Sequence, residues 1–271
     1  MQNPFIDNQA WLQLQTGMTQ IAQQEIMSRF NKVGYELKAD GSLLTEADTA
    51  MQTAMTRFLQ QNWPQFALLG EESDKQEQQA ALDAEQGCWI LDPIDGTTNF
   101  ANGIAFFSVS LALMIKGELV LGLVYDPAKN ELFSARLGMG AYLNGQSIKT
   151  EQHLRSLKEC VGVIDFKRLD DMLATALAIQ APYASQRSFG SVALDWCWMA
   201  AGRGQLYLHG NQSLWDYAAG WLILNEAGGA SISLDGQPVL AKKIGKRPAI
   251  AASNASLLTT WKDWIDRHNE D

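Results

Sequence analysis

The chain has few of the residues that make a disulfide-bonded or zinc-binding protein. Its 271 residues include only three cysteines and three histidines. Cys88, Cys160 and Cys197 stand far apart, which does not match zinc-ligand spacing, and their odd number argues against a disulfide framework. We therefore expect three buried, reduced thiols.

Basic charge and long apolar runs are also scarce. The 21 lysines and arginines face 30 acidic residues, a net charge of −9. Such a surface repels polyanions, so we expect no direct nucleic-acid binding. The longest apolar runs, such as 109–115 and 218–224, are too short to span a bilayer, and no basic region precedes an apolar signal core. These absences predict a cytoplasmic protein that does not bind membranes.

What the chain does contain is enough apolar sequence for a large core, because 46% of its residues are hydrophobic. Helical spacing predicts helices over about residues 8–32, 46–63, 167–180, 192–201, 215–227 and 257–267. Apolar runs predict strands over 106–116, 119–125, 131–135, 161–164, 205–208 and 249–252. Residues 74–86 indicate an exposed helix or loop, and Asn144-Gly145 a tight turn. This order predicts a layered α+β or α/β sandwich.

The segment from Trp89 to Phe100 is the most informative. Asp92 and Asp95 follow an apolar strand, and carboxylate oxygens bind hard divalent cations. Gly96 and two threonines come next, and a glycine allows backbone N–H groups to approach a phosphate closely. Asp-Pro and Asp-Gly are also common turn dipeptides. The combination favours metal-assisted phosphate chemistry over an ordinary turn.

Three other acidic residues have both a structural and a functional interpretation. Ser213 and Asp216 match a serine-x-x-acid capping box, and Thr45 and Asp48 fit the same pattern. Glu71 could be a charged residue in a solvated loop. Local sequence leaves both interpretations open for each of these acids.

Together the motifs resemble those of the inositol monophosphatase family of magnesium-dependent, lithium-sensitive phosphomonoesterases. Three blocks carry the resemblance in the same order, 70–73, 89–100 and 215–220. Further similarity extends it over nearly the whole chain, at Lys38, 45–48, 138–145 and Gly190-Ser191.

The resemblance implies a role for each matching residue. Glu71, Asp92 and the carbonyl of Ile94 would bind a first Mg²⁺, and Asp92, Asp95 and Asp216 a second, with two or three ions per site. Catalytic roles fall to Thr97, Asp48 and Glu71, of which Thr97 and Asp48 would activate the attacking water. The phosphate or substrate would contact Asp95, Gly96, Thr97, Thr98, Gly190, Ser191, His209 and Asp216.

The same resemblance implies an α-β-α-β-α sandwich, like that of inositol monophosphatase and fructose-1,6-bisphosphatase, and a homodimer. We expect residues 1–271 to form a single catalytic unit. Its first half, about 1–150, would bind metal and phosphate. Its second half, 151–271, would face the substrate and supply Asp216.

The substrate is less clearly indicated. Inositol-preferring members carry a glutamate seven positions before the last metal-binding aspartate, where it binds substrate hydroxyls. This chain has His209 there, which does not present the same anionic acceptor. We expect hydrolysis of a small inositol-1-phosphate-like, sugar or polyol phosphate. Histidinol phosphate, fructose 1,6-bisphosphate and 3′-phosphoadenosine 5′-phosphate stay open. A hypothesis of another class is a protein-binding regulator of the transcription machinery with residual phosphatase activity.

Overall fold

Two β-sheets organise the chain in the computed structural model, which describes residues 3–32, 34–38, 41, 43–153 and 155–269. The helices of at least five residues are α1 (Asn8–Ala22), α2 (Glu46–Asn62), α3 (Lys75–Leu82), α4 (Thr97–Ala101), α5 (Asp171–Ile179), α6 (Val192–Ala200), α7 (Leu214–Glu226) and α8 (Ala255–Asn269). A π-helical segment, Gln23–Met27, continues α1. Short 3-10 helices lie at Pro4–Ile6, Leu157–Glu159 and Phe166–Arg168.

The larger sheet has seven strands and the smaller has five. The first contains β3 (Ala67–Gly70), β4 (Cys88–Asp95), β5 (Ser108–Ile115), β6 (Glu118–Asp126), β7 (Glu131–Arg136), β8 (Ala141–Leu143) and β9 (Gln146–Ile148), in that spatial order. The second has the order β11 (Ser185–Arg187), β10 (Val161–Asp165), β12 (Leu206–Gln212), β14 (Arg247–Ala252), β13 (Ala230–Ile232). A separate hairpin pairs β1 (Tyr35–Leu37) with β2 (Leu43–Thr45).

Strand direction decides which chain segments reach the same edge of the smaller sheet. Strand β10 runs parallel to β12, with Asp165 paired to His209 in the register. The carboxyl ends of parallel strands meet at one edge, where ligands commonly bind in α/β proteins. The turn after β10 therefore lies beside the segment that leads into α7.

Apolar packing assigns the helices to layers. Helices α1 and α2 cover one face of the larger sheet. Helices α6 and α7 lie between the two sheets in a second core. Helices α5 and α8 cover the far face of the smaller sheet. The predicted α-β-α-β-α sandwich is confirmed. The division into halves near residue 150 stays a prediction.

Most predicted helices and strands are present, with shifted boundaries. The helix predicted over 167–180 begins only at Asp171, because Asp170 caps it by accepting from the Leu173 N–H. Residues 74–86 contain a true helix, α3. The Asn144-Gly145 turn is confirmed by positive φ at both residues, 49° and 78°. Periodicity missed the three-residue strands β1, β2, β8, β9, β11 and β13, which are too short to show alternation.

Two expectations about composition can be compared with the structure. All three cysteines are free and buried. In the part of the chain that the structure describes, no helix has the length and hydropathy needed to cross a membrane.

Gly122 sets how closely α7 approaches the larger sheet. A Cβ at this position of β6 would lie 2.7 Å from the carbonyl oxygen of Ala219 in α7. We expect Gly122→Ala to lower the free energy of unfolding by about 1–3 kcal/mol, the usual cost of overpacking. Denaturant titration measures the change. The control is Gly34→Ala, where a Cβ would meet nothing within 4 Å; equal effects of both substitutions would contradict the prediction.

Candidate active site

Strand β4 carries the first two carboxylates of the site. The strand is buried along its whole length, and its pairing with β5 is irregular between Asp92 and Asp95. Asp92 Oδ1 accepts a hydrogen bond from the Ile94 N–H at 3.0 Å. In a regular strand, residues three apart point to opposite faces. This irregularity allows both acidic side chains to lie on the same side of the strand.

Gly96 ends this strand with a left-handed backbone, φ 93°. A Cβ here would lie 3.1 Å from the carbonyl oxygen of Gly190 and 3.2 Å from that of Phe106. Only glycine combines this φ with so close an approach. Helix α4 starts at the next residue, Thr97, so its first N–H groups face the same turn.

Asp95 is held by the N-terminal turn of α6. Its carboxylate accepts from Ser191 Oγ at 2.5 Å, from the Ala193 N–H at 2.7 Å and from the Val192 N–H at 3.1 Å. Burial raises the pKa of Asp95 to about 6 despite these three donors, which lower it. Ser191, predicted to contact substrate, is therefore in contact with Asp95 in the structure.

Asp48 and Asp216 both form the helix caps that their sequences allowed, and their functional roles stay predictions. Asp48 Oδ2 accepts from the Thr45 N–H at 2.8 Å and from its hydroxyl at 2.6 Å. Its other oxygen, Oδ1, lies 3.3 Å from Thr97 Oγ1. Asp216 Oδ2 accepts from the Ser213 N–H at 2.8 Å in a capping box. Each cap uses Oδ2 of its acid.

Four carboxylates, of Glu71, Asp92, Asp95 and Asp216, lie near enough to influence one another, and we call this group the acidic pocket. Burial, followed by the charges of Glu71, Asp95 and Asp216, raises the pKa of Asp92 well above its ordinary value. Burial and then Asp95 and Glu71 do the same for Asp216. As the side chains stand, no three acidic, histidine or cysteine groups in the described ranges form a finished ligand set. Their mutual effects on pKa nevertheless indicate that the four acids lie close together.

A divalent cation fits this pocket. Buried like charges are costly unless they are paired or bound to a metal. All of the candidate side-chain donors are carboxylate oxygens, which hard cations such as Mg²⁺ prefer. Lys38 Nζ supplies partial compensation at the edge, 2.9 Å from Glu71 Oε1 and 2.5 Å from Glu72 Oε1.

A groove along α2 is a separate feature. It has a volume of about 500 Å³, is lined in part by Thr53, Thr56 and Arg57, and includes Glu72, the residue next to Glu71 of the acidic pocket. We place the active site at the acidic pocket, because the groove brings together no comparable set of reactive groups.

His209 is buried and lies behind another acid. Its side chain is 2% exposed, and Nε2 lies 3.1 Å from Asp165 Oδ2, short of a well-aligned hydrogen bond. Asp165 keeps 18% exposure and is the group nearer solvent. Direct substrate contact by His209 stays a prediction. Asp165 was missed by the sequence reasoning, although an acid at the end of a predicted strand was a usable signal.

The remaining predicted residues lie around the same turn. Thr97 Oγ1 is 2.9 Å from the Ile94 carbonyl oxygen, a predicted metal ligand. Thr98 is exposed beside it, and Gly190 contacts Asn99, whose amide nitrogen also donates to the carbonyl of Phe189. The structure thus brings the motifs of both halves together, and their individual roles stay predictions.

Comparison with known proteins agrees with this arrangement. A model of the inositol monophosphatase family matches residues 7–266. The Nus factor SuhB of Pasteurella multocida is 38% identical over 74% of this chain and 75% of its own length. Inositol monophosphatase 1 of Solanum lycopersicum is 37% identical over 71% and 72%. The crystal structure of the extragenic suppressor protein suhB from Bartonella henselae has a TM-score of 0.82 and 29% identity, covering 96% of this chain and 98% of that chain.

Fold and site together define a metal-dependent phosphoric monoester hydrolase with a layered α/β architecture. More specifically, the chain belongs to the inositol monophosphatase family.

Because the carboxylates of the acidic pocket are crowded, we expect Mg²⁺ to stabilise the fold. Ligand at 100 times its dissociation constant adds about 2.7 kcal/mol to the free energy of unfolding. We expect Asp92→Asn to melt at a higher temperature than the unmodified protein in EDTA, because it removes a buried charge, and to gain much less from Mg²⁺. Thermal unfolding with and without Mg²⁺ measures both effects.

The matched control is Asp195→Asn. Asp195 is also buried, its pKa is raised mainly by burial, and its Oδ1 has no hydrogen-bond partner among the described residues. This substitution should keep the full gain from Mg²⁺. An equal gain for Asp92→Asn and the unmodified protein would contradict the assignment.

Proposed function

We propose that the protein hydrolyses a small sugar or polyol phosphate with Mg²⁺ and an activated water. The observation that carries the proposal is the shared pocket of Glu71, Asp92, Asp95 and Asp216, one edge of which holds Thr97. The family relationship supports phosphomonoester hydrolysis in general, and the name of the Solanum lycopersicum relative points to inositol phosphates.

The residues that would hold the cations are those of the acidic pocket. Glu71, Asp92 and the Ile94 carbonyl would bind one ion, and Asp92, Asp95 and Asp216 a second. When bound, the cations acidify an attacking water and stabilise negative charge on the leaving oxygen. Two ions are the minimum that this donor set suggests, and a third is compatible with it.

Thr97 and Asp48 would orient the attacking water and accept its proton. The Thr97 hydroxyl has one proton and two acceptors, Ile94 O at 2.9 Å and Asp48 Oδ1 at 3.3 Å. When the hydroxyl turns to Asp48, its lone pairs can accept from a water. Burial raises the pKa of Asp48 to about 6, close to neutrality, which suits a proton acceptor.

The phosphate group would lie at the turn after β4. Backbone N–H groups of Gly96 and Thr97 and the exposed hydroxyl of Thr98 are the donors we assign to it. Gly190 packs against this turn and Ser191 fixes Asp95, so their contribution would be to its shape.

We also propose that residues 1–271 act as one catalytic unit. Asp216 from the second half raises the pKa of Asp92 from the first, so neither half alone contains the whole pocket. A homodimer is a further proposal that rests on family membership, and a cytoplasmic location stays an expectation from the sequence.

Asp92→Asn should abolish phosphate release. Asp92 is assigned to both ions, so its loss removes charge stabilisation that is worth about 10²-fold or more in turnover. Phosphate release from a panel of sugar, inositol, histidinol and nucleotide phosphates, in Mg²⁺ and in EDTA, tests the activity and ranks the substrates. Wild-type turnover by a folded Asp92→Asn protein would refute the mechanism.

Thr97→Val should lower kcat by about 10²-fold with little change in KM, because it removes the hydroxyl that orients the water. Thr97→Ser keeps that hydroxyl and is the matched control. Steady-state kinetics separates the two constants. Similar kcat values for the Val and Ser variants would show that the hydroxyl is not required.

A second candidate function is supported by the name of one relative, the Nus factor SuhB of Pasteurella multocida. This chain would then also bind the transcription machinery. Asp92→Asn separates the two roles, since a phosphatase-inactive protein that still binds RNA polymerase in a pull-down would support the second. No binding by either form would exclude it.

A further inference from the structure

A group of three side chains at the edge of the smaller sheet has no role in the proposed metal chemistry. It consists of Asp165, His209 and Arg168. Asp165 ends β10, and His209 is its register partner on β12. Arg168 Nη1 pairs with Asp165 Oδ2. The exposed fractions rise in order, with His209 at 2%, Asp165 at 18% and Arg168 at 44%.

The turn that carries Asp165 and Arg168 packs closely against β12. Asp165 Oδ1 accepts from the Lys167 N–H at 3.0 Å, which caps the 3-10 turn Phe166–Arg168. A Cβ on Gly210 would lie 1.8 Å from the Arg168 carbonyl oxygen, so only glycine allows this contact. The position of Asp165 is therefore fixed by backbone packing as well as by its side-chain partners.

The histidine ring is fixed in one tautomer. The Asn211 N–H donates to His209 Nδ1 at 3.2 Å, which leaves the ring proton on Nε2, the atom facing Asp165. Burial lowers the pKa of His209, which favours the neutral ring. The pKa of Asp165 is lowered to about 2, because His209 and Arg168 together outweigh the effect of burial. The group presents a fixed anion whose charge is partly balanced by Arg168.

The strands that carry this anion lead towards Asp216, because β12 ends directly before the N-terminus of α7. Burial is the main influence on the pKa of Asp216, yet the charge of Arg168 is near enough to lower it. Asp165 in turn contributes to the raised pKa of Asp195 in α6, after burial and Asp95. Strand β12 leads directly from His209 to the capping residue of α7, Ser213.

On the basis of the proposed function, we infer that Asp165 is a specificity-determining residue that accepts a hydrogen bond from a hydroxyl of a polyol or sugar phosphate, and that His209 positions it from behind. Position 209 has no carboxylate, and Asp165 on the neighbouring strand β10 would provide one in its place. Because Arg168 already pairs with Asp165, a neutral hydroxyl suits the site better than a second cation.

The test compares two substrates in the intact protein with Mg²⁺. Asp165→Ala should lower kcat/KM for inositol 1-phosphate by about 10- to 100-fold, as expected for loss of a hydrogen bond to a charged group, mainly through KM. Phenyl phosphate, which has no hydroxyl beyond its phosphate, should be hydrolysed as before. Asp165→Asn keeps the size and an acceptor oxygen, and should show a smaller loss.

The positioning role has its own pair of variants. His209→Leu should reproduce the selective rise in KM for inositol 1-phosphate, whereas His209→Gln keeps an N–H donor and should restore much of the selectivity. A purely structural role would lower turnover of both substrates.

Three results would overturn the inference. These are equal losses for both substrates, no loss for inositol 1-phosphate, and a loss confined to O-phosphoethanolamine, which would assign an ammonium group to the site. Failure of the unmodified protein to hydrolyse any of these compounds would instead refute the proposed phosphatase function.

Discussion

Repulsion between carboxylates that the fold holds together is the constraint on which the rest of the structure depends. Burial raises the pKa of Asp92 most, and the charges of Glu71, Asp95 and Asp216 raise it further. Such a pocket is unfavourable without cations, so its free-energy cost must be met by packing elsewhere. Strand β4 lies between two apolar cores, with Trp89 and Leu91 on one side and Cys88 and Ile90 on the other. The strand that packs between two apolar cores thus also carries two of the four crowded carboxylates, Asp92 and Asp95.

Helix caps solve the problem of orienting these acids. A carboxylate has two oxygens, and the fold uses Oδ2 of Asp48 and of Asp216 as a helix cap. Oδ1 of Asp48 is thereby directed towards Thr97. A capping acid is stabilised by its helix N-terminus, which offsets part of the cost of placing it in an acidic pocket. Each cap therefore leaves the other carboxylate oxygen for the proposed functional role.

Local patterns predicted the class of fold and the paired acids Asp92 and Asp95, whereas Glu71 and Asp216 were assigned through the family resemblance. Helical periodicity, strand runs and the Asp-Pro-Ile-Asp-Gly-Thr-Thr segment are readable within about ten residues. What sequence reasoning missed depends on long-range pairing. The hydrogen bond from Ser191 to Asp95 joins residues 96 positions apart, and the pairing of Asp165 with His209 requires the register of two parallel strands. Three-residue strands were missed because they carry no periodicity of their own.

The same limit explains why His209 was hard to interpret from sequence. When β12 is considered alone, a histidine at position 209 in place of a glutamate removes an anionic acceptor. Across the sheet, Asp165 occupies the adjacent position and Arg168 balances part of its charge. Neighbouring strands of a sheet lie only about 5 Å apart. A carboxylate on one of two paired strands can therefore occupy nearly the same place as a carboxylate on the other. The proposal for Asp165 therefore assigns substrate preference to this edge of the sheet and not to position 209 alone.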